Sequence, residues 1–156
     1  GLGGGVPIGA LVALTPAAAD LFAPGMHGTT FGGNPLAAAA ANTVLDVVER
    51  DGLVAAANRE GQRIRDVVAG LGSPLVAGVR GSGLLLGVEL SQPVAPAVVA
   101  AALAAGLIVN APDAQTVRLA PPLIVGEAEI AVFAERFAAA LATVEAGLAI
   151  EVPAEA

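Results

Sequence analysis

Residues 75–90 read LVAGVRGSGLLLGVEL. Two apolar runs, 75–79 and 84–90, flank the glycine-rich break Arg80-Gly81-Ser82-Gly83. Short runs of Val and Leu bounded by glycine predict two strands, since a helix needs a longer periodic stretch. From this pair the pattern extends in both directions. Downstream, residues 96–105 predict a short alanine-rich helix ending at Gly106. Residues 107–109 and 116–120 predict short strands around the turn NAPDAQ, 110–115. Residues 126–146 predict a last helix, with Glu127 and Glu129 at its positive end. Its apolar residues Ile130, Phe133, Phe137, Leu141 and Val144 fall three and four apart on one face. The end, IEVPAEA, is expected to fray. Residues 71–156 therefore read as a small α+β unit.

Upstream the grammar differs. Residues 6–14 (VPIGALVAL) predict a buried strand. Thr15 caps a helical turn with Pro16 at its first position, and residues 24–33 form a loop rich in Gly and Thr. Asn34-Pro35 starts a helix that runs to about Arg50, where Asp51-Gly52 breaks it. A second helix is expected over residues 53–69, with Val54, Ile64, Val67 and Val68 apolar and Arg59, Arg63 and Arg65 solvated. GLGSP, 70–74, marks a subdomain boundary. One strand and three helical stretches are too little sheet for a closed domain, so residues 1–70 read as the tail of something larger.

Composition excludes several functions. The 156 residues are 56% hydrophobic and 13% charged, so the chain buries a core rather than remaining disordered. It has no Tyr or Trp and a formal net charge of −7, which argues against nucleic acid as a partner. With no cysteine and one histidine, disulfides and His- or Cys-based metal sites are excluded. The uncharged stretches 21–45 and 90–112 are long enough for a membrane span, but prolines and glycines break them. All seven cations are arginine, and the chain has no lysine. That removes every side-chain amine nucleophile. A cytoplasmic location fits the absence of a signal peptide.

Three places carry candidate chemistry. The opening GLGGG, 1–5, precedes its strand rather than following it, so it does not match a dinucleotide fingerprint. It reads either as an ordinary turn or as a point of close backbone approach. The loop HGTTFGGNP, 27–35, joins two hydroxyls, Thr29 and Thr30, to a helix start. It is either an anion site of hydroxyls and free N–H groups or an N-cap loop whose threonines bond their own backbone. Arg118, in TVRLAPPL, sits in an apolar strand where a charge needs a partner. It pairs with one of the 14 acids, lies on a solvated edge, or offers its planar fork to a carboxylate ligand. Glu89, Asp46, Glu49 and Arg50 read as solvated or helix-supporting charges, and His27 as a loop hydrogen-bonding group.

GLGGGVPIGA (1–10), HGTTFGGNPLA (27–37), VRGSGLLLGVEL (79–90) and VRLAPPL (117–123) occur in that order. Together they resemble the C-terminal part of class-III pyridoxal-phosphate aminotransferases, over about residues 1–146, and the acetylornithine branch in particular. The resemblance implies an α/β, fold-type-I architecture: the end of the large cofactor-binding domain and linking helices in 1–70, then the small C-terminal domain in 71–156. It implies pyridoxal 5′-phosphate as cofactor and amino transfer from N-acetylornithine to 2-oxoglutarate in arginine biosynthesis. Ornithine, 4-aminobutyrate and succinyl-diaminopimelate are alternative donors, and a stand-alone non-catalytic dimerisation module is the alternative of another class. The family's cofactor-bearing lysine would stand immediately before Gly1 and maps onto no residue here. By the same resemblance Thr30 binds the cofactor phosphate of a neighbouring subunit in a homodimer. Thr29 lies on the substrate side, and Arg118 holds a substrate carboxylate.

Overall fold

The computed structural model describes residues 1–151, and they fall into two compact units, 1–52 and 53 onward. The expected frayed end therefore lies, for residues 152–156, outside the described residues.

The first unit opens on a tight turn in which the Val6 N–H donates to the Gly3 carbonyl. Gly3 is buried there, and a β-carbon on it would meet the Val6 oxygen at 2.1 Å. Helix α1, Pro16–Ala19, is a single turn whose N-cap Thr15 accepts from the Ala18 N–H. Helix α2, Pro35–Arg50, begins as the Asn-Pro pair predicts: the Asn34 side chain accepts from the Ala37 N–H at 2.9 Å. Residues 6–14 do not form the expected strand. A strand needs a hydrogen-bonded neighbour, and this unit contains no other strand, so Leu11, Val12 and Leu14 stay 73–88% exposed.

The second unit begins with helix α3, Leu53–Gly70, which packs on the sheet rather than belonging with the residues before it. Packing thus divides the chain at residue 52, earlier than the GLGSP boundary. Then follow β1, Val76–Ser82; β2, Leu85–Leu90; α4, Ala95–Ala104; β3, Asn110–Asp113; β4, Thr116–Leu119; and α5, Glu127–Glu151. The strands form one antiparallel sheet in the order β1-β2-β4-β3. Alternation along β2 and β4 sends Leu86, Val88, Leu90, Val117 and Leu119 into one core with Ile64 and Val68 of α3, Val98 of α4, and Ile130, Phe137 and Leu141 of α5. The opposite face carries Leu85, Gly87, Glu89, Thr116 and Arg118.

Three details depart from the sequence reading. First, β3 is Asn110–Asp113, not 107–109. Asn, Pro and Asp looked like turn formers, but β3 is an edge strand and tolerates Pro112. Second, α5 runs on to Glu151, because Gly147 does not take the positive φ with which glycine ends a helix. Third, the arginines of α3 are not merely solvated. Arg65 donates to the Val79 and Gly81 carbonyls at 2.9 and 2.7 Å and so satisfies the outer edge of β1. Arg63 reaches both Glu60 and Glu127, linking α3 to the start of α5.

Gly61 sets how closely α3 approaches the β1–β2 turn: an added β-carbon would lie 2.0 Å from the Gly83 oxygen. Gly61→Ala should therefore destabilise by about 1–3 kcal/mol, the scale of overpacking. Gly70→Ala, with nothing within 4 Å of the new carbon, should be neutral or stabilise by roughly 0.4–1 kcal/mol through the unfolded chain. Thermal or urea unfolding followed by circular dichroism measures both, and the reverse order would contradict the packing.

Candidate active-site segments

The sheet's exposed face brings Arg80, Gly87 and Arg118 into one row, since Arg80 pairs with Gly87 and Gly87 with Arg118. They border an open groove of about 420 Å³, lined also by Ser82, Pro112 and Thr116. Gly87 keeps the strip between the two arginines bare; a β-carbon there would press on the Thr116 methyl at 3.0 Å.

The seven arginines differ in their partners. Arg50, Arg59, Arg63 and Arg80 each meet a carboxylate. Arg65 and Arg136 donate to backbone carbonyls, the latter to Gly106 at 2.6 Å. Arg118, like those two, meets no carboxylate among the described residues, and its partner is a side-chain amide: its Nε–H donates to Asn110 Oδ1 at 3.0 Å. The internal ion pair considered from sequence is thus not formed among those residues, and the two terminal nitrogens of the fork are left for a ligand. Asn110 went unrecognised in the sequence because residues 110–115 read as a turn. The signal was the spacing of eight residues across a hairpin, which places Asn110 opposite Arg118.

The β3–β4 turn holds that register. Asp113 Oδ1 accepts from the Gln115 N–H at 2.8 Å. This hydrogen bond, followed by one from the Thr116 hydroxyl, keeps the Asp113 carboxyl below the usual carboxylate range. A larger apolar cleft of about 480 Å³ lies beside Ile108, Pro121 and Ile124. Its one acid, Glu129, accepts from the Gly126 N–H through Oε2.

Thr29 and Thr30 lie in the first unit, both exposed. The Gly32 N–H donates to the Thr29 carbonyl and the Asn34 N–H to Phe31, making a tight loop before α2. Neither threonine hydroxyl has a partner among the described residues, unlike the N-cap alternative. The start of α2, however, is mostly occupied. Pro35 has no N–H and the Ala37 N–H is capped by Asn34, so an anion here would rely on the threonine loop rather than on the helix end. His27 packs edge-on against the Phe22 ring, centroids 5.3 Å apart, in place of the expected hydrogen bonds. No cluster of three or more His, Cys, Asp or Glu suited to a metal occurs among the described residues, and no helix is long and apolar enough to cross a membrane.

An antiparallel sheet that presents an uncompensated arginine, joined in sequence to a glycine-threonine loop, defines a class that comparison identifies. The sequence model of the family "Aminotransferase class-III" matches residues 1–141, and the chain belongs to that family. In particular, it is 53% identical over 130 residues to the acetylornithine aminotransferase of Mycobacterium tuberculosis, covering 83% of this chain and 32% of that protein. In structure it resembles the acetylornithine aminotransferase of Elizabethkingia anophelis, with a TM-score of 0.72 and 32% identity over 81% of this chain and 34% of the other. It also resembles the omega transaminase of Pseudomonas jessenii in complex with PMP, with a TM-score of 0.72 and 31% identity over 81% of this chain and 31% of that one. The chain spans about a third of the length of the curated relatives it matches.

Asp113 gives a pH test of the turn. A depressed carboxyl contributes stability above the ordinary carboxylate range and loses it as pH falls through the depressed value. An NMR titration should show Asp113 protonating below the ordinary aspartate range. An ordinary titration would contradict the turn that sets the β3–β4 register.

Proposed function

We propose that this segment belongs to a pyridoxal-phosphate aminotransferase that moves an amino group from N-acetylornithine to 2-oxoglutarate, as a cytoplasmic enzyme of arginine biosynthesis. Within it, Arg118 is the arm that binds a substrate carboxylate. The observation that carries this reading is the fork of Arg118, without an acid partner among the described residues and bordering the open groove of the sheet's exposed face. A carboxylate supplies the charge partner the arginine lacks and matches its two remaining donors. The acetylornithine aminotransferases that the chain matches at about half identity support the choice of donor.

The residues present fit the cofactor at its phosphate. Thr30 offers an unengaged, exposed hydroxyl in a glycine loop without a nearby acid in sequence, a donor set suited to an anion. When bound, pyridoxal phosphate would supply the electron sink that lets a proton leave the carbon bearing the transferred amine. This chain's own part would be to bind and orient: Thr30 would hold the phosphate, Thr29 would lie on the substrate side, and Arg118 would hold a substrate carboxylate. With no lysine in the 156 residues, the amine that carries the cofactor is contributed from outside them. The reading includes a homodimer in which Thr30 serves the neighbouring subunit's site. The exposed Leu11, Leu14 and Phe31, each at least 80% accessible, support burial of the first unit against further protein surface.

In the full-length enzyme, Arg118→Lys keeps the charge but loses the fork. It should weaken carboxylate substrates by about 1–3 kcal/mol, the scale of a charged hydrogen bond; unchanged KM for donor and acceptor would remove Arg118 from the site. Thr30→Ala should lower cofactor affinity, followed by absorbance on dilution, while equal retention would remove Thr30 from the phosphate site. Comparing kcat/KM for N-acetylornithine, ornithine, 4-aminobutyrate and succinyl-diaminopimelate tests the donor.

A further inference from the structure

We propose that Asn110 is a positioning residue that aims Arg118 at its ligand, an inference that rests on the reading of Arg118 as the carboxylate arm. A guanidinium carries five N–H donors in one plane, and a carboxylate can approach it side-on, through Nε and one terminal nitrogen, or end-on, through both terminal nitrogens. Here the side-on edge is occupied, because Asn110 Oδ1 takes the Nε–H at 3.0 Å. Asn110 lies directly opposite Arg118 in the β3–β4 register, so the hairpin carries arm and tether together. On the other flank Gly87, paired with Arg118 from β2, adds no side chain that would fill the approach.

The choice of residue type follows. An exposed arginine samples many rotamers, and fixing one costs side-chain entropy when a ligand binds. The tether supplies that order beforehand. An acid in the same place would also hold the Nε–H, but it would satisfy the charge the ligand must meet. Arg80, the other arginine of the row, shows that arrangement: its Nε lies 2.9 Å from Glu89. The neutral amide orients Arg118 without neutralising it. Asn110 thus selects end-on binding of a carboxylate.

The test compares Asn110→Leu, Asn110→Asp and Arg118→Lys in the full-length enzyme. Glutarate affinity is measured by titration calorimetry, and KM and kcat with a carboxylate-bearing donor and with its decarboxylated amine. Asn110→Leu, close in shape but without an acceptor, should weaken glutarate about three- to tenfold, the range for one hydrogen bond. It should raise KM for the carboxylate donor by a similar factor, and leave kcat, the amine's KM and the thermal midpoint nearly unchanged. Asn110→Asp keeps the acceptor but adds charge, and should also weaken glutarate. If Arg118→Lys weakens glutarate while both Asn110 variants bind it as wild type does, the positioning role is overturned and the carboxylate role of Arg118 stands. Equal KM increases for the carboxylate donor and its amine would likewise overturn it, since they would report general distortion. If Arg118→Lys itself leaves glutarate binding intact, the reading on which the proposal rests has failed.

Discussion

The position of Arg118 follows from its two neighbours in β4. Val117 is fully buried and Leu119 nearly so, and in a strand successive side chains point to opposite faces. With both aliphatic groups fixed in the core against Phe137 and Leu86, Arg118 has no choice but the open face. A one-residue slip of β4 would drive the guanidinium into the core and bring two aliphatic side chains into water. The apolar packing that stabilises the second unit is therefore also what turns Arg118 to the open face.

The other arginines clarify what that means. Arg65 closes the outer edge of β1, Arg136 holds the loop after α4, and Arg63 links α3 to α5. These cations are structural ties, each matched to a carbonyl or a carboxylate. Arg118 is matched only to Asn110, which orients the charge and leaves it unneutralised. Its two terminal nitrogens, free among the described residues, lie beside the open groove of the sheet's exposed face, and the chain belongs to the class-III aminotransferase family.

Much of this was legible in the sequence, and the failures share one physical cause. Local signals held: Thr15 and Asn34 cap their helices, Gly106 follows α4, and the apolar face of α5 is the one that is buried. These depend on residues a few positions apart. The misreadings depend on partners distant in the chain. Residues 6–14 have the apolar content of a strand but no strand beside them. Asn110, Pro112 and Asp113 have the composition of a loop, yet pairing with β4 makes them an edge strand. Of the residues proposed for function, Thr29, Thr30 and Arg118 could be singled out by residue type and resemblance. Asn110 could not, because its meaning lies in a register that only the folded hairpin creates.

The account is tested most directly by a crystal structure of the full-length enzyme with glutarate bound. It predicts one carboxylate within hydrogen-bond distance of both terminal nitrogens of Arg118, with Nε still on Asn110. Glutarate held by other residues, with the Arg118 guanidinium paired to a protein carboxylate, would contradict it.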